Sequence, residues 1–146
     1  MIALIQRVTS ASVTVDQQCI SSIDEGILLL LGVEKADTPA ITKRMAERVC
    51  RYRIFEDTSG KMNLSLLNIQ GSLLVVSQFT LPADTTRGSR PSFTPAASPE
   101  LGYALYQEFI KQSHVLIPNV QEGQFGADMK VQLTNDGPVT FWLQQN

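Results

Sequence analysis

The sequence predicts a single mixed α/β domain, residues 1–146, with two helices covering a sheet. Three observations carry this. A chain of 146 residues with 43% hydrophobic content can bury one core but is too short for two. Apolar stretches of strand length recur along the chain, some alternating with polar residues and some continuous. Two hydroxyl-proline pairs, Thr38-Pro39 and Ser98-Pro99, each open a run with apolar residues at helical spacing.

Ile2 to Val8 and Ser12 to Asp16 alternate apolar with polar residues and read as two half-buried strands joined by Thr9-Ser10. Cys19 to Ile23 resumes the alternation after Gln17-Gln18. Asp24-Glu25-Gly26 is a turn, and the aliphatic run Ile27 to Leu31 is a central strand. The first helix begins at Thr38-Pro39, and Ile41, Met45, Val49 and Tyr52 share its apolar face. Ile54-Phe55 is a short strand, Asp57 to Gly60 a turn, and Leu64 to Gly71 leads into the next strand. The segment from Ala83 to Ala97, rich in Pro, Ser, Thr and Arg, is a long surface loop of the kind that often carries function. The second helix starts at Ser98, shows Leu101, Leu105 and Phe109 on one face, and ends near His114. Val115 to Ile117 suggests a strand stopped by Pro118. Two last strands flank Asn135 to Pro138.

The chain is organised around Gly71 to Leu81. Leu73 to Val76 is apolar without alternation, as in a strand covered on both faces. Ser77, Gln78 and Thr80 then put two hydroxyls and an amide at its end, and Pro82 stops the ladder. These polar groups either satisfy backbone where a strand becomes a loop or form a site. Asn135-Asp-Gly-Pro138 is turn chemistry, sufficient for a hairpin with no further role.

Composition removes several classes of function. The apolar runs are far shorter than the roughly 20 residues that span a bilayer, and no leader peptide is visible. Cys19 and Cys50 lack a Cys-x-x-Cys spacing, so a cytoplasmic chain with reduced thiols is expected. With His114 as the single histidine, no metal or other cofactor is expected. A net charge of −2 and a pI near 5.3 speak against a DNA-binding surface, which is held chiefly by phosphate neutralisation. Lys43, Arg44, Arg48, Arg51 and Arg53 form a local basic cluster, and Arg87 and Arg90 share a loop. The first cluster is either the solvated face of a helix or a contact for an anionic partner, and the second could serve such a partner too.

The pair Ser77-Gln-Phe-Thr-Leu81 and Asn135-Asp-Gly-Pro-Val-Thr140 resembles the D-aminoacyl-tRNA deacylases, proofreading hydrolases of bacteria and eukaryotes. Gln6-Arg-Val8 with Ala11-Ser-Val13, Gly60-Lys-Met-Asn63, Arg90-Pro-Ser-Phe93 and Gly123 to Val131 extend the likeness over essentially the whole chain. The resemblance implies a three-layer α/β/β arrangement and a homodimer with active sites at the interface. It implies the 3′ end of aminoacyl-tRNA as partner and Ser77, Gln78, Phe79 and Thr80 as the catalytic segment. Gly137 and Pro138 would reach from one subunit into the other's pocket through a cis bond and exclude the side chain of an L-amino acid. Glycyl-tRNA mischarged on tRNA(Ala), having no side chain, would pass. Arg7, Arg87 and Arg90 are candidates for holding tRNA or its terminal adenosine.

A serine or threonine hydrolase needs a base beside its hydroxyl, and the sequence offers none near either motif. An aminoacyl ester lowers that demand, because its α-ammonium activates the carbonyl and the ribose 2′-hydroxyl lies beside it. Backbone amides around Phe79 and Thr80 can then supply much of the rate by stabilising the oxyanion. Direct attack by the Thr80 hydroxyl is the rival. A binding protein without turnover and a general esterase or peptidase are the competing classes; the missing base argues against the second.

Overall fold

The computed structural model describes residues 1–146. In chain order the elements are β1 (Ile2–Val15), β2 (Gln18–Ile23), β3 (Gly26–Gly32), α1 (Pro39–Arg51), β4 (Phe55–Glu56), β5 (Met62–Leu64), α2 (Leu66–Ile69), β6 (Ser72–Ser77), α3 (Pro99–Leu116), β7 (Val120–Glu122) and β8 (Lys130–Gln144). The amino-terminal alternation forms one strand, not the two expected from Thr9-Ser10. β8 pairs with β1 from Ile2 to Thr14, and the step in register between Val8 and Ser10 absorbs the interruption as a bulge. On its other edge β1 pairs antiparallel with β3 through its first half and with β2 through its second. β6 joins β3 in parallel, and β7 joins β6 in parallel, completing a mixed six-stranded sheet. β4 and β5 form a separate small hairpin.

The continuous apolar runs have the cause assigned to them. Ile27, Leu29, Leu31, Leu73 and Val75 point into a main core of 24 residues shared with α1 and α3. Leu28, Leu74 and Val76 point the other way, into a second core of 7 residues with Val8, Ala11, Val13 and Ile23. β3 and β6 lie so close that a Cβ on Gly26 would fall on the Ser72 carbonyl oxygen, which explains glycine there.

Both helix starts follow the cap chemistry. The Thr38 hydroxyl accepts from the Ile41 amide at 3.3 Å, and the Ser98 hydroxyl from the Leu101 amide at 3.2 Å. Met45, Ala46 and Val49 bury one side of α1, and Leu105, Tyr106, Phe109 and Ile110 one side of α3.

The helices number three, not two. Ser65 and Asn68 close a capping box around the single turn of α2, where an extended lead-in was expected. Val115 to Ile117 is not a strand. The helical period runs on through buried Ser113, whose hydroxyl donates to the Phe109 carbonyl at 2.8 Å, and Ile117 caps α3. Extended structure resumes only beyond Pro118, in β7. The two strands expected around Asn135 to Pro138 are one strand, β8, because both halves pair with β1. The turn residues make an excursion within it and do not reverse the chain.

Candidate active site

The backbone at the end of β6 explains why the polar residues gather there. Gln78 gives the last ladder bond, its amide donating to the Leu31 carbonyl at 2.8 Å. The chain then turns: Leu81 N–H donates to the Gln78 carbonyl at 3.2 Å and Ala83 N–H to the Thr80 carbonyl at 3.1 Å. Phe79 and Thr80 are the central residues of that turn, so their N–H groups have no acceptor within the chain. Both residues are exposed, Phe79 to 65%. Two consecutive free donors at a strand end are able to receive an anionic or strongly polarised oxygen.

The Thr80 hydroxyl has one side-chain partner, the Gln78 amide, whose Nε2 donates to Oγ1 at 2.6 Å. An amide cannot take up a proton at neutral pH, so this contact orients the hydroxyl without activating it. His114 is exposed near the far end of α3, away from the lining of the cleft beside this turn.

That cleft has a volume of about 660 Å³. Ser77, Gln78 and Phe79 line it, and Leu31, Val76, Phe93, Phe125 and Met129 make its walls largely apolar. Phe79 and Phe93 pack at 5.3 Å between ring centroids. Asp128 is the single ionisable side chain in the lining, and it forms a solvent-exposed ion pair with Lys130 at 3.0 Å. The wall residues Phe93, Phe125 and Met129 were not singled out as site residues from sequence, although two of the family-like segments contain them.

The loop from Ala83 to Ala97 is more ordered than its composition suggests. Asp84 and Ser92 exchange two backbone hydrogen bonds, at 2.8 and 2.9 Å, and Ala97 N–H donates to the Val33 carbonyl at 3.0 Å. The Thr86 hydroxyl and amide both donate to the Asp84 carboxylate and hold it below its usual range. Arg87 and Arg90 are exposed on the pinched segment, without an acidic partner, while the end of the same loop walls the cleft.

Gly137 and Pro138 belong to a different part of the chain's surface. Between the β1–β8 pairs Gln6–Thr140 and Val8–Asn135, the single residue Arg7 stands opposite the segment Asp136 to Val139, which is pushed outward. Asn135 holds this excursion at its base: its Oδ1 accepts from Val139 N–H at 2.6 Å, and its Nδ2 donates to the Val139 carbonyl at 3.2 Å and the Thr140 hydroxyl at 3.0 Å. Arg7 is 7% exposed; its Nε donates to the Asp136 carbonyl at 2.9 Å and its Nη1 to the Ile54 carbonyl at 2.7 Å. It therefore sits beneath the excursion and not on open surface. The Gly137–Pro138 bond is cis, and Gly137 has φ +145°, where a Cβ would lie 2.6 Å from the Val139 side chain.

Neither Gly137 nor Pro138 lines the cleft. Arg7 pairs with Ile27 at the start of β3, whereas the cleft opens at Leu31. Those positions are separated by about 13 Å along the strand, at ~3.3 Å per residue. The structure thus places Ser77, Gln78 and Phe79 in the cleft lining with Thr80 next to them just outside it, sets Arg87 and Arg90 on the loop beside them, and keeps Arg7, Gly137 and Pro138 out of the same chain's cleft.

An apolar cleft bordered by two free backbone donors, with the Thr80 hydroxyl just outside its lining and no histidine or unpaired carboxylate beside that hydroxyl, lacks the parts of a catalytic triad. The model of the D-Tyr-tRNA(Tyr) deacylase family matches residues 4–144. The chain belongs to that family, the D-aminoacyl-tRNA deacylases. It is 57% identical to the D-aminoacyl-tRNA deacylase of Salmonella newport and 58% identical to that of Shewanella oneidensis, in each case over 99% of both chains. A solved structure described as a c-Myc DNA unwinding element binding protein is 40% identical, with a TM-score of 0.94 over 99% of this chain and 98% of that one. A probable eukaryotic D-amino acid tRNA deacylase, 16% identical, matches with a TM-score of 0.84 over 97% of both chains and supports the fold alone.

Proposed function

We propose that the cleft binds the 3′-terminal aminoacyl-adenosine of D-aminoacyl-tRNA and that the free amides of Phe79 and Thr80 hold the carbonyl oxygen as charge develops on it. Water adds to the ester carbonyl, the bond to the ribose oxygen breaks, and the D-amino acid and the tRNA hydroxyl leave. The two unpaired N–H groups carry this reading, because one well-aimed donor of this kind is worth about 2.7–4 kcal/mol in the transition state. The neighbouring ribose 2′-hydroxyl supplies the polar group that the protein lacks. Thr80, turned by Gln78, is read as a positioning group and not as the nucleophile.

We further read Gly137 and Pro138 as the element that rejects L-aminoacyl esters, acting on the cleft of a second copy of the chain in a homodimer of three-layer α/β/β subunits. The separation of the excursion from its own cleft supports action in trans, and the brace formed by Asn135 and Arg7 supports rigidity. Backbone filters chirality better than a side chain, which could rotate away. The enzyme is then cytoplasmic, with residues 1–146 as one domain and no cofactor.

Glycyl-tRNA(Ala) tests the filter. A site that excludes a side chain in one direction passes glycine, so glycine should be released at a rate within about tenfold of D-alanine from matched tRNA, a difference below ~1.4 kcal/mol. Resistance of the glycyl ester would show that the site requires a D side chain and does not merely exclude an L one. A binder without turnover would release no amino acid from either substrate.

A further inference from the structure

The basic cluster on α1 ends in a groove separate from the cleft. Arg51, Arg53, Asn63 and Asn68 line it, with a volume of about 410 Å³. Arg53 donates its Nε to the Asn63 carbonyl at 2.8 Å, which fixes the guanidinium and leaves both Nη groups free of protein acceptors. Neither arginine forms an ion pair, and both are exposed. In a chain of net charge −2 this is a local concentration of positive charge, with Glu47 the single acid among Lys43, Arg44, Arg48, Arg51 and Arg53 and in ion-pair contact with none of them.

Its position ties it to the Gly137–Pro138 excursion. One guanidinium, that of Arg7, donates to the carbonyls of both Asp136 and Ile54, the residue after Arg53. The groove and the excursion are therefore neighbours, and neither lines the chain's own cleft.

We propose that the Arg51–Arg53 groove is a phosphodiester subsite that holds the acceptor-stem backbone of the tRNA whose 3′ ester lies in the partner's cleft. The inference rests on the reading that the excursion enters that cleft. A nucleic acid whose last residue lies against the excursion must run out past whatever borders it. Unpaired arginines with planar, multiply donating heads suit phosphate oxygens, and the regular charge of a tRNA backbone matches a strip continued by exposed Arg48, Arg44 and Lys43.

The test compares D-tyrosyl-tRNA with 3′-D-tyrosyl-adenosine on the wild-type dimer and on Arg51→Gln/Arg53→Gln. The double variant should raise KM for the tRNA ester about tenfold, leave kcat unchanged, and cleave the adenosine ester as the wild type does. Its kcat/KM on tRNA should also fall less steeply with salt, the logarithmic slope being shallower by about 1.4–1.8 for two lost phosphate contacts. An unchanged KM and salt slope would overturn the subsite. Failure of the wild type to cleave the adenosine ester would instead count against the cleft reading beneath it.

Mixed dimers fix the geometry. Ala96→Trp fills one cleft. When it shares a protomer with the arginine changes, the remaining open cleft faces the altered groove and KM should be raised. When the two changes are on opposite protomers, KM should be that of the wild type. The reverse pattern would refute service in trans.

Discussion

Gln78 and Thr80 are joined side chain to side chain, the amide donating to the hydroxyl at 2.6 Å. Because an amide is no base, Thr80→Ala should fold normally and keep kcat within about tenfold of wild type, a loss below ~1.4 kcal/mol. Replacing the substrate's terminal ribose by its 2′-deoxy form should cost more, about a hundredfold or ~2.7 kcal/mol. Single-turnover release of D-tyrosine measures both. A dead alanine variant that coexists with normal cleavage of the deoxy substrate would make Thr80 the nucleophile.

Asn135 closes the base of the excursion through Val139 and Thr140, so its removal should loosen Gly137 and Pro138 without touching the cleft. Asn135→Ala should lower stability by about 1–3 kcal/mol, since of the four hydrogen bonds it removes, two leave the N–H and carbonyl of buried Val139 without a partner. It should also raise hydrolysis of L-tyrosyl-tRNA while leaving D-tyrosyl-tRNA nearly unchanged. Urea unfolding and paired D and L assays check this; unaltered discrimination in the destabilised variant would leave Asn135 a purely structural residue.

The thiols should behave differently. Cys19 is exposed, whereas burial pushes the Cys50 thiol up from 9.0 to about 12, with Arg51 opposing only part of the rise. At pH 8 a disulfide reagent should titrate one thiol per native chain quickly and the second only on unfolding. The raised value means that the folded state holds its proton more tightly. The associated stability is therefore complete below pH 9.0 and declines as pH rises toward about 12. Two fast thiols in the native protein would show that Cys50 is accessible.

What the sequence revealed and what it hid divide along local and non-local physics. The strands β3 and β6 were legible because burial on both faces removes the polar alternation, and α1 and α3 because a capping hydroxyl followed by proline is a local signal. Asn135 to Pro138 reads as a reversal because its turn chemistry is the same whether the chain doubles back or only bulges. The pairing of β1 with β8 on both sides of Arg7 decides between these, and that contact spans almost the whole chain. Val115 to Ile117 is aliphatic enough for a strand, but the period set by Phe109 and Ser113 carried the helix on. α2 has its cap in Ser65 and Asn68, yet one turn is too short to stand out. The strand end at Ser77 to Thr80 was visible, while the walls supplied by Phe93, Phe125 and Met129 come from separate segments that only folding brings together. Arg7, an arginine in an alternating strand, looks available in sequence; its two backbone acceptors appear only in the structure.

Chiral discrimination is the property that a rigid backbone filter must produce. Initial rates on D-tyrosyl-tRNA and L-tyrosyl-tRNA, charged on the same tRNA and assayed with the same protein preparation, should differ by at least about a hundredfold in favour of D, or ~2.7 kcal/mol. Equal rates on the two enantiomers would contradict a cleft in which rigid backbone occupies the direction of the L side chain.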